Sequence, residues 1–388
     1  MADRLPIDRA VLFVTGEYPP LRGGVGDYTA RLAEALTDHG WSVTVVTRPS
    51  PDRTATSPAI RVTTGWGWRL REILQELYAQ GWRGIVHLQY QAGAFDLQGR
   101  IALLPQLAHP FPVVTTFHDL RVPYLFPKAG PLRHLVLRWL ARTSAAVVVT
   151  NPEDERAVRR WDISGARLWR IPIGSNLPAP RDPRAARQRL GLPRQQPLVA
   201  FFGFRQPEKG LETLIAAIAR LPEPRPLLVL LGGDRPDTPG ARAGDATAYR
   251  DIAAVPLVDL GYRPAQDVAD LLAAADVVAL PFRDGASLRH GSLIAALASG
   301  AALVTTRPAD PTLLFPLRDG EHCCLVPPDD PTALAQALAG LLADPTRRDQ
   351  LRAGARTVAA AFAWERIAQR HAQLYEVVRQ WSRYSWGD

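Results

Sequence analysis

Residues 10–28 read AVLFVTGEYPPLRGGVGDY: an apolar, β-branched run, a proline-bearing turn, then Gly23, Gly24 and Gly26 leading into an amphipathic stretch. Ala10 to Thr15 predicts a buried strand. Val25 to His39 predicts a helix with Tyr28, Leu32, Ala35 and Leu36 on one face and Gly40 as its stop, and Ser42 to Thr47 predicts a second strand. The three make a βαβ unit. Its glycine turn opens on a helix start, where free amides attract phosphate and the absent side chains admit a ligand. The spacing is not Gly-x-Gly-x-x-Gly and no acidic residue follows the second strand, which disfavours a dinucleotide-dependent dehydrogenase.

The alternation continues outward. Ile85 to Gln89, Pro112 to Phe117 and Ala145 to Thr150 predict strands, with helices over Trp68 to Gln80 and Pro131 to Thr143. After a polar, proline-rich stretch it restarts at Leu198 to Phe202, Pro226 to Leu231, Val277 to Leu280, Ala302 to Thr306 and Cys323 to Val326. Strands alternating with helices imply parallel sheets covered on both faces, and 388 residues suit two such domains. The expected division is a first domain over 1–175, a linker over 176–197, a second domain over 198–363 and a terminal helix over 364–388 returning to the first domain. Doubly wound sheets bind ligands beyond the carboxyl ends of their strands, so the chemistry is expected there, in a cleft between the domains.

Composition narrows the classes. Hydrophobic residues at 47% and charged residues at 22% are ordinary for a folded globular chain. The net charge of +8 suits phosphates, anionic lipid or nucleic acid without choosing among them. Of the 46 basic residues only Lys128 and Lys209 are lysines, so each lysine kept in an arginine-biased chain calls for a reason. Cys323 and Cys324 are adjacent strand neighbours, a poor metal pair and no disulfide framework, and they point to a reducing compartment. No apolar run is long enough to span a membrane, and Met1 to Pro6 lacks the basic and apolar regions of a signal peptide, so a cytoplasmic location is expected.

Several motifs, in one order along almost the whole chain, resemble the family 4 glycosyltransferases of the GT-B fold. They are Tyr18, Pro19 and Pro20 with Gly23, Gly24 and Val25; Thr116, Phe117, His118 and Asp119; Asn151 with Glu153; Ile171 to Gly174; and the Gly203 to Gly210 loop with Lys209. The resemblance implies a retaining, metal-independent transferase moving a sugar from a nucleoside diphosphate sugar to an acceptor hydroxyl. The acceptor would be a glycolipid, polysaccharide or small glycoside, and no cofactor beyond the donor is required.

By the same resemblance His118, Arg205 and Lys209 are the candidate catalytic residues, with the two cations offsetting charge on the leaving diphosphate. Asp119 is a candidate orienting group for His118 and, with Asp27 and Tyr28, a candidate for acceptor contact. Gly23, Gly24, Gly203, Tyr262, Asp284, Ser287, Arg289, His290, Gly291 and Ser292 are the candidate donor-binding residues. Trp364, Glu365 and Arg366 resemble the start of the family's crossover helix.

The chain departs from the family where two glutamates normally stand eight positions apart. Alignment on Ala296 to Gly300 puts Ser287 and Ala295 there, while Arg289, His290, Gly291 and Ser292 still form a helix start suited to phosphate. That departure motivates the rival reading of a non-catalytic protein that binds a sugar nucleotide or partners an active transferase; a sugar-nucleotide epimerase lacks an acidic cluster to support it. No Asp-x-Asp metal motif occurs. Basic and aromatic residues mix at Leu132 to Arg142 and at Trp66, Trp68, Arg69 and Arg71, an arrangement compatible with peripheral contact to an anionic membrane at the inner face, whereas no nucleic-acid module is present.

Overall fold

A computed structural model describes residues 8–21, 23–50, 59–120, 130–233 and 255–384; the side chains of 130–133 and 382–384, and Lys128, lie outside the described set. Two units separate, one of residues 1–173 with 364–388 and one of 174–363.

Unit 1 is built on seven parallel strands in the order β3-β2-β1-β4-β5-β6-β7. These are β1 (Ala10–Thr15), β2 (Ser42–Thr47), β3 (Ala59–Val62), β4 (Ile85–Tyr90), β5 (Val113–Phe117), β6 (Ala146–Val149) and β7 (Leu168–Arg170). Its helices are α1 (Gly24–Asp38), α2 (Trp68–Ala79), the short α3 (Leu104–Leu107), α4 (Gly130–Thr143) and α5 (Pro152–Arg159). The central strands β1, β4, β5 and β6 are buried throughout because helices cover both faces, giving two separate cores.

Unit 2 is six parallel strands in the order β10-β9-β8-β11-β12-β13. They are β8 (Leu198–Phe202), β9 (Leu227–Leu231), β10 (Leu257–Gly261), β11 (Val277–Leu280), β12 (Leu303–Thr306) and β13 (Cys324–Val326). The helices are α6 (Pro183–Arg189), α7 (Leu211–Ala219), α8 (Ala265–Ala274), α9 (Gly291–Ala298), α10 (Pro331–Ala343) and α11 (Pro345–Ala359). Cys323 is buried and Cys324 half-buried at the start of β13.

The terminal helix α12 (Trp364–Tyr384) belongs to unit 1. Ile367, Leu374, Tyr375 and Val378 recur at helical spacing and enter one core with Tyr28, Leu32 and Leu36 of α1.

Two expectations need revision, and two strands were not foreseen. The stretch read as a linker over 176–197 lies within unit 2, because the buried carboxylate of Asp270 on α8 accepts from the amides of Arg181 (2.6 Å) and Asp182 (3.1 Å) and from Arg189 (2.6 Å) on α6. Trp66, read as part of a surface patch, is core, edge-on to Phe95 at 4.7 Å. The edge strands β3 and β7 carry no sequence signal of their own: each has three or four residues, an arginine among them, and is held by pairing with β2 and β6.

Candidate active site

Unit 2 gathers most of the predicted donor-binding residues at the carboxyl ends of its strands. Gly203 follows β8 and Gly232 follows β9, and they interlock: Gly203 donates to the Leu231 carbonyl (3.0 Å) and Gly232 to the Gly261 carbonyl (3.0 Å). Gly232 has φ of 110°, and a side chain there would fall 2.3 Å from the Gly203 carbonyl oxygen. Only glycine fits, so the ends of β8, β9 and β10 make a bare backbone shelf.

The shelf borders the start of α9. Ser292 Oγ lies 3.9 Å from where a Gly203 side chain would begin. The amides of Gly291 and Ser292, which open α9, have no acceptor within the helix, and its N-cap, His290, supplies no side-chain cap. The hydroxyls of Ser292 and of Ser287, itself only 2% exposed, have no protein partner. A buried hydroxyl left unbonded costs free energy that a ligand recovers.

Lys209 ends a short turn closed by Gly210, whose φ is 69° and whose side chain would strike the Pro281 carbonyl at 2.0 Å. Its Nζ stands 4.9 Å over the ring of Phe282, which stacks on the His290 imidazole at 3.9 Å. Burial lowers the Lys209 pKa, opposed by the charges of Glu208 and Asp284, with Arg289 lowering it further. Lys209 has no ion-pair partner among the described residues. Arg289 is paired with Asp284 at 2.7 Å, and Arg205 with Asp259 on β10. Phe204 is exposed beside the shelf, as is Tyr262 after β10.

Unit 1 contributes a different kind of strand end. His118 follows β5, is partly buried, and its Nε2 lies 2.8 Å from Gln89 Oε1 on β4; Tyr28 meets it edge-on at 4.7 Å. Burial first, and His371 second, lower the His118 pKa to about 3, so the imidazole is neutral. Behind it His87 bridges Tyr375 Oη (2.6 Å) and Thr116 Oγ1 (2.7 Å), and burial lowers His371 to about 4.

Gln89, the orienting partner of His118, was missed, and Asp119, proposed for that task, is exposed. The signal lay in alternation and register. His87 and Gln89 share one face of β4, Thr116 on β5 stands two residues before His118 just past the strand end, and Gln89 pairs with Thr116. Tyr28 is 3% exposed and supports His118 from beneath, while Asp27 is exposed in the first turn of α1. At Gly23 the space of a side chain is taken by the Glu17 carboxylate, 1.9 Å from the ideal Cβ position. A phosphate at Gly23 and Gly24 therefore requires Glu17 to swing aside.

Among the described residues no group of three or more His, Cys, Asp and Glu gathers to hold a metal ion, and no helix is long and apolar enough to cross a membrane.

Residues 23–174 match the glycosyl transferase 4-like domain and residues 196–344 the glycosyl transferases group 1 domain. The chain is 30% identical to a D-inositol 3-phosphate glycosyltransferase of Xylanimonas cellulosilytica, covering 91% of each. Its fold is similar to sucrose-phosphate synthase from Thermosynechococcus elongatus, with a TM-score of 0.75 at 28% identity over 95% of this chain and 98% of that one. It is similar also to Anabaena HepE in complex with UDP-glucose, with a TM-score of 0.70 at 20% identity over 95% and 99%. With two parallel α/β units of the GT-B kind, the chain belongs to the glycosyltransferases and is an enzyme of sugar transfer, 4-like in its first unit and group 1 in its second.

Proposed function

We propose that the chain moves a hexosyl group from a nucleoside diphosphate sugar to a hydroxyl of a sugar or lipid-linked acceptor, retaining the anomeric configuration and using no metal ion. The observation that carries this is the row from the glycine shelf to Ser292, the first amides of α9 and Lys209, which offers a dianion uncapped donors and a cation with no ion-pair partner among the described residues. The shelf spans two strand spacings, roughly 10 Å, and gives a nucleoside room to lie flat with its phosphates toward α9. Arg205 and Tyr262 stand at its far side.

In the transfer the bond from the anomeric carbon to the phosphate oxygen breaks and a bond to the acceptor oxygen forms. The acceptor proton passes to the departing diphosphate. Lys209, the α9 amides and the serine hydroxyls stabilise the charge that grows there, which is the work a metal does elsewhere. His118, held neutral, bonds a substrate hydroxyl.

The test is thermal stabilisation by UDP, GDP and ADP, with and without EDTA, since a ligand bound only by the folded form raises Tm. One of the three should raise it regardless of EDTA, and Lys209→Ala should remove the shift; no shift with any of them sinks the proposal. Product anomer by NMR decides retention.

The acceptor side has its own candidate surface. Leu135, Val136 and Trp139 on α4 are exposed at 59%, 38% and 52%, next to the arginine Arg142. We propose that this face gives a cytoplasmic protein peripheral contact with anionic lipid. Flotation with phosphatidylglycerol vesicles should carry the chain upward and phosphatidylcholine vesicles should not. Trp139→Ser with Leu135→Ser should abolish it; equal flotation of the variant removes this face from consideration.

A further inference from the structure

The sheet face that ends at His118 encloses three polar groups without a protein partner: the amide nitrogen of Gln89, Nε2 of His371 and the hydroxyl of Tyr28. Gln89 and His371 are fully buried. Such groups are nearly always bonded in native proteins, to protein or to an internal water.

Their polarities are complementary. His371 Nδ1 lies 2.9 Å from the carbonyl of Ile367 on its own helix, so that nitrogen carries the proton and Nε2 is an acceptor only. Gln89 Nε2 is a donor, and the Tyr28 hydroxyl is either. The three groups share one neighbourhood: the Tyr28 ring meets His118 at 4.7 Å, the His371 ring lies 5.7 Å from His87, and His87 stands two residues before Gln89 on the same face of β4. The Gln89 amide oxygen lies 2.8 Å from His118 Nε2, which leaves the amide nitrogen as the donor without a protein partner.

We propose that Gln89 is a positioning residue: its carbonyl takes the Nε2 proton of His118, and its amide nitrogen is tied through one buried water to His371 on α12 and to Tyr28 on α1. His118 Nδ1 is thereby an acceptor alone, suited to a sugar hydroxyl and unable to donate to a phosphate oxygen. The terminal helix, through His371, so sets the tautomer of a residue at the end of β5. Burial agrees, since it keeps both His118 and His371 neutral at physiological pH.

This inference rests on His118 as a substrate-contacting group, but the tautomer can be read without substrate. In the full chain labelled with 15N-histidine, long-range proton–nitrogen correlation should find His118 protonated at Nε2 and bare at Nδ1. Gln89→Leu should turn it into a tautomer mixture, while Gln89→Glu should keep the Nε2 proton and raise the His118 pKa by a unit or more.

A wild-type His118 protonated at Nδ1, or a tautomer unchanged in Gln89→Leu, overturns the proposal. Where Gln89→Leu does not fold, the wild-type and Gln89→Glu spectra decide. In transfer assays Gln89→Leu should lower kcat roughly tenfold with little change in KM, and Gln89→Glu should recover part of it. Equal loss in both variants indicates a merely structural role. Absence of any nucleotide-induced Tm shift would instead remove the donor reading and leave the tautomer result standing.

Discussion

The two units share one construction, parallel strands whose carboxyl ends carry the polar groups, yet those ends are finished in opposite ways. Unit 1 ends in imidazoles and phenols packed on one another, with His87, His371, Tyr28 and Tyr375 all buried and their ionised forms disfavoured by that burial. Unit 2 ends in bare backbone, uncapped amides, unbonded hydroxyls and a lysine without a carboxylate partner among the described residues. One edge is arranged to exclude charge and the other to receive it. In the transfer proposed above, that difference would separate recognising a neutral hydroxyl from holding a phosphate whose charge grows during reaction.

Acid should break the symmetry between the units first. A histidine with a depressed folded pKa contributes stability that is complete above its unfolded value near 6.5 and lost as pH falls, because the unfolded chain takes the proton and the folded chain does not. His371, at about 4, is alone worth on the order of 3 kcal/mol by the time pH reaches 4. His87 and His118 act in the same direction. Among the described residues unit 2 has one buried histidine of this kind, His322.

Hydrogen exchange followed by mass spectrometry between pH 7 and pH 4 should therefore find unit 1 losing protection well before unit 2. Equal loss in both would sink the contrast. Asp154 sharpens the same experiment. Burial raises its pKa to about 6, against a hydrogen bond from Asn151 and with repulsion from Asp119 and Glu153 adding to the rise, so its contribution is present at low pH and lost as pH rises through 6. It opposes the histidines between pH 4 and 6. Asp154→Asn should steepen the acid loss of unit 1 by about 1.4 kcal/mol per pH unit in that window.

How far the contrast could be read beforehand follows from the range of the interactions involved. Ala10–Thr15 was legible to the residue because burial on both faces writes itself as a nearly unbroken apolar run, and Ser42–Thr47 because its valines and threonines are β-branched. Lys209 stood out because the chain otherwise uses arginine. Gln89 did not, because its meaning comes from register with Thr116 and from His371, which lies 282 positions away on α12. The 176–197 stretch was misplaced for the same reason: what fastens it is Asp270, some ninety residues on. Local pattern reports elements and turns, while side-chain partners across the sheet are set by topology.

The smallest effect tests the charge-receiving edge most directly. The Ser287 hydroxyl is buried without a protein partner, so Ser287→Ala deletes a group that the unliganded fold does not use. Its Tm should stay the same or rise slightly, within about 1 kcal/mol of stability. If the hydroxyl is one of the donors to the diphosphate, the added stabilisation from nucleotide should shrink by about 1 kcal/mol, a fivefold to tenfold weaker Kd. The two readouts move in different directions, which a general loss of packing cannot imitate. A variant that is less stable but binds nucleotide as before would mean that Ser287 serves the fold, and that the charge-receiving edge stops at Ser292 and Lys209.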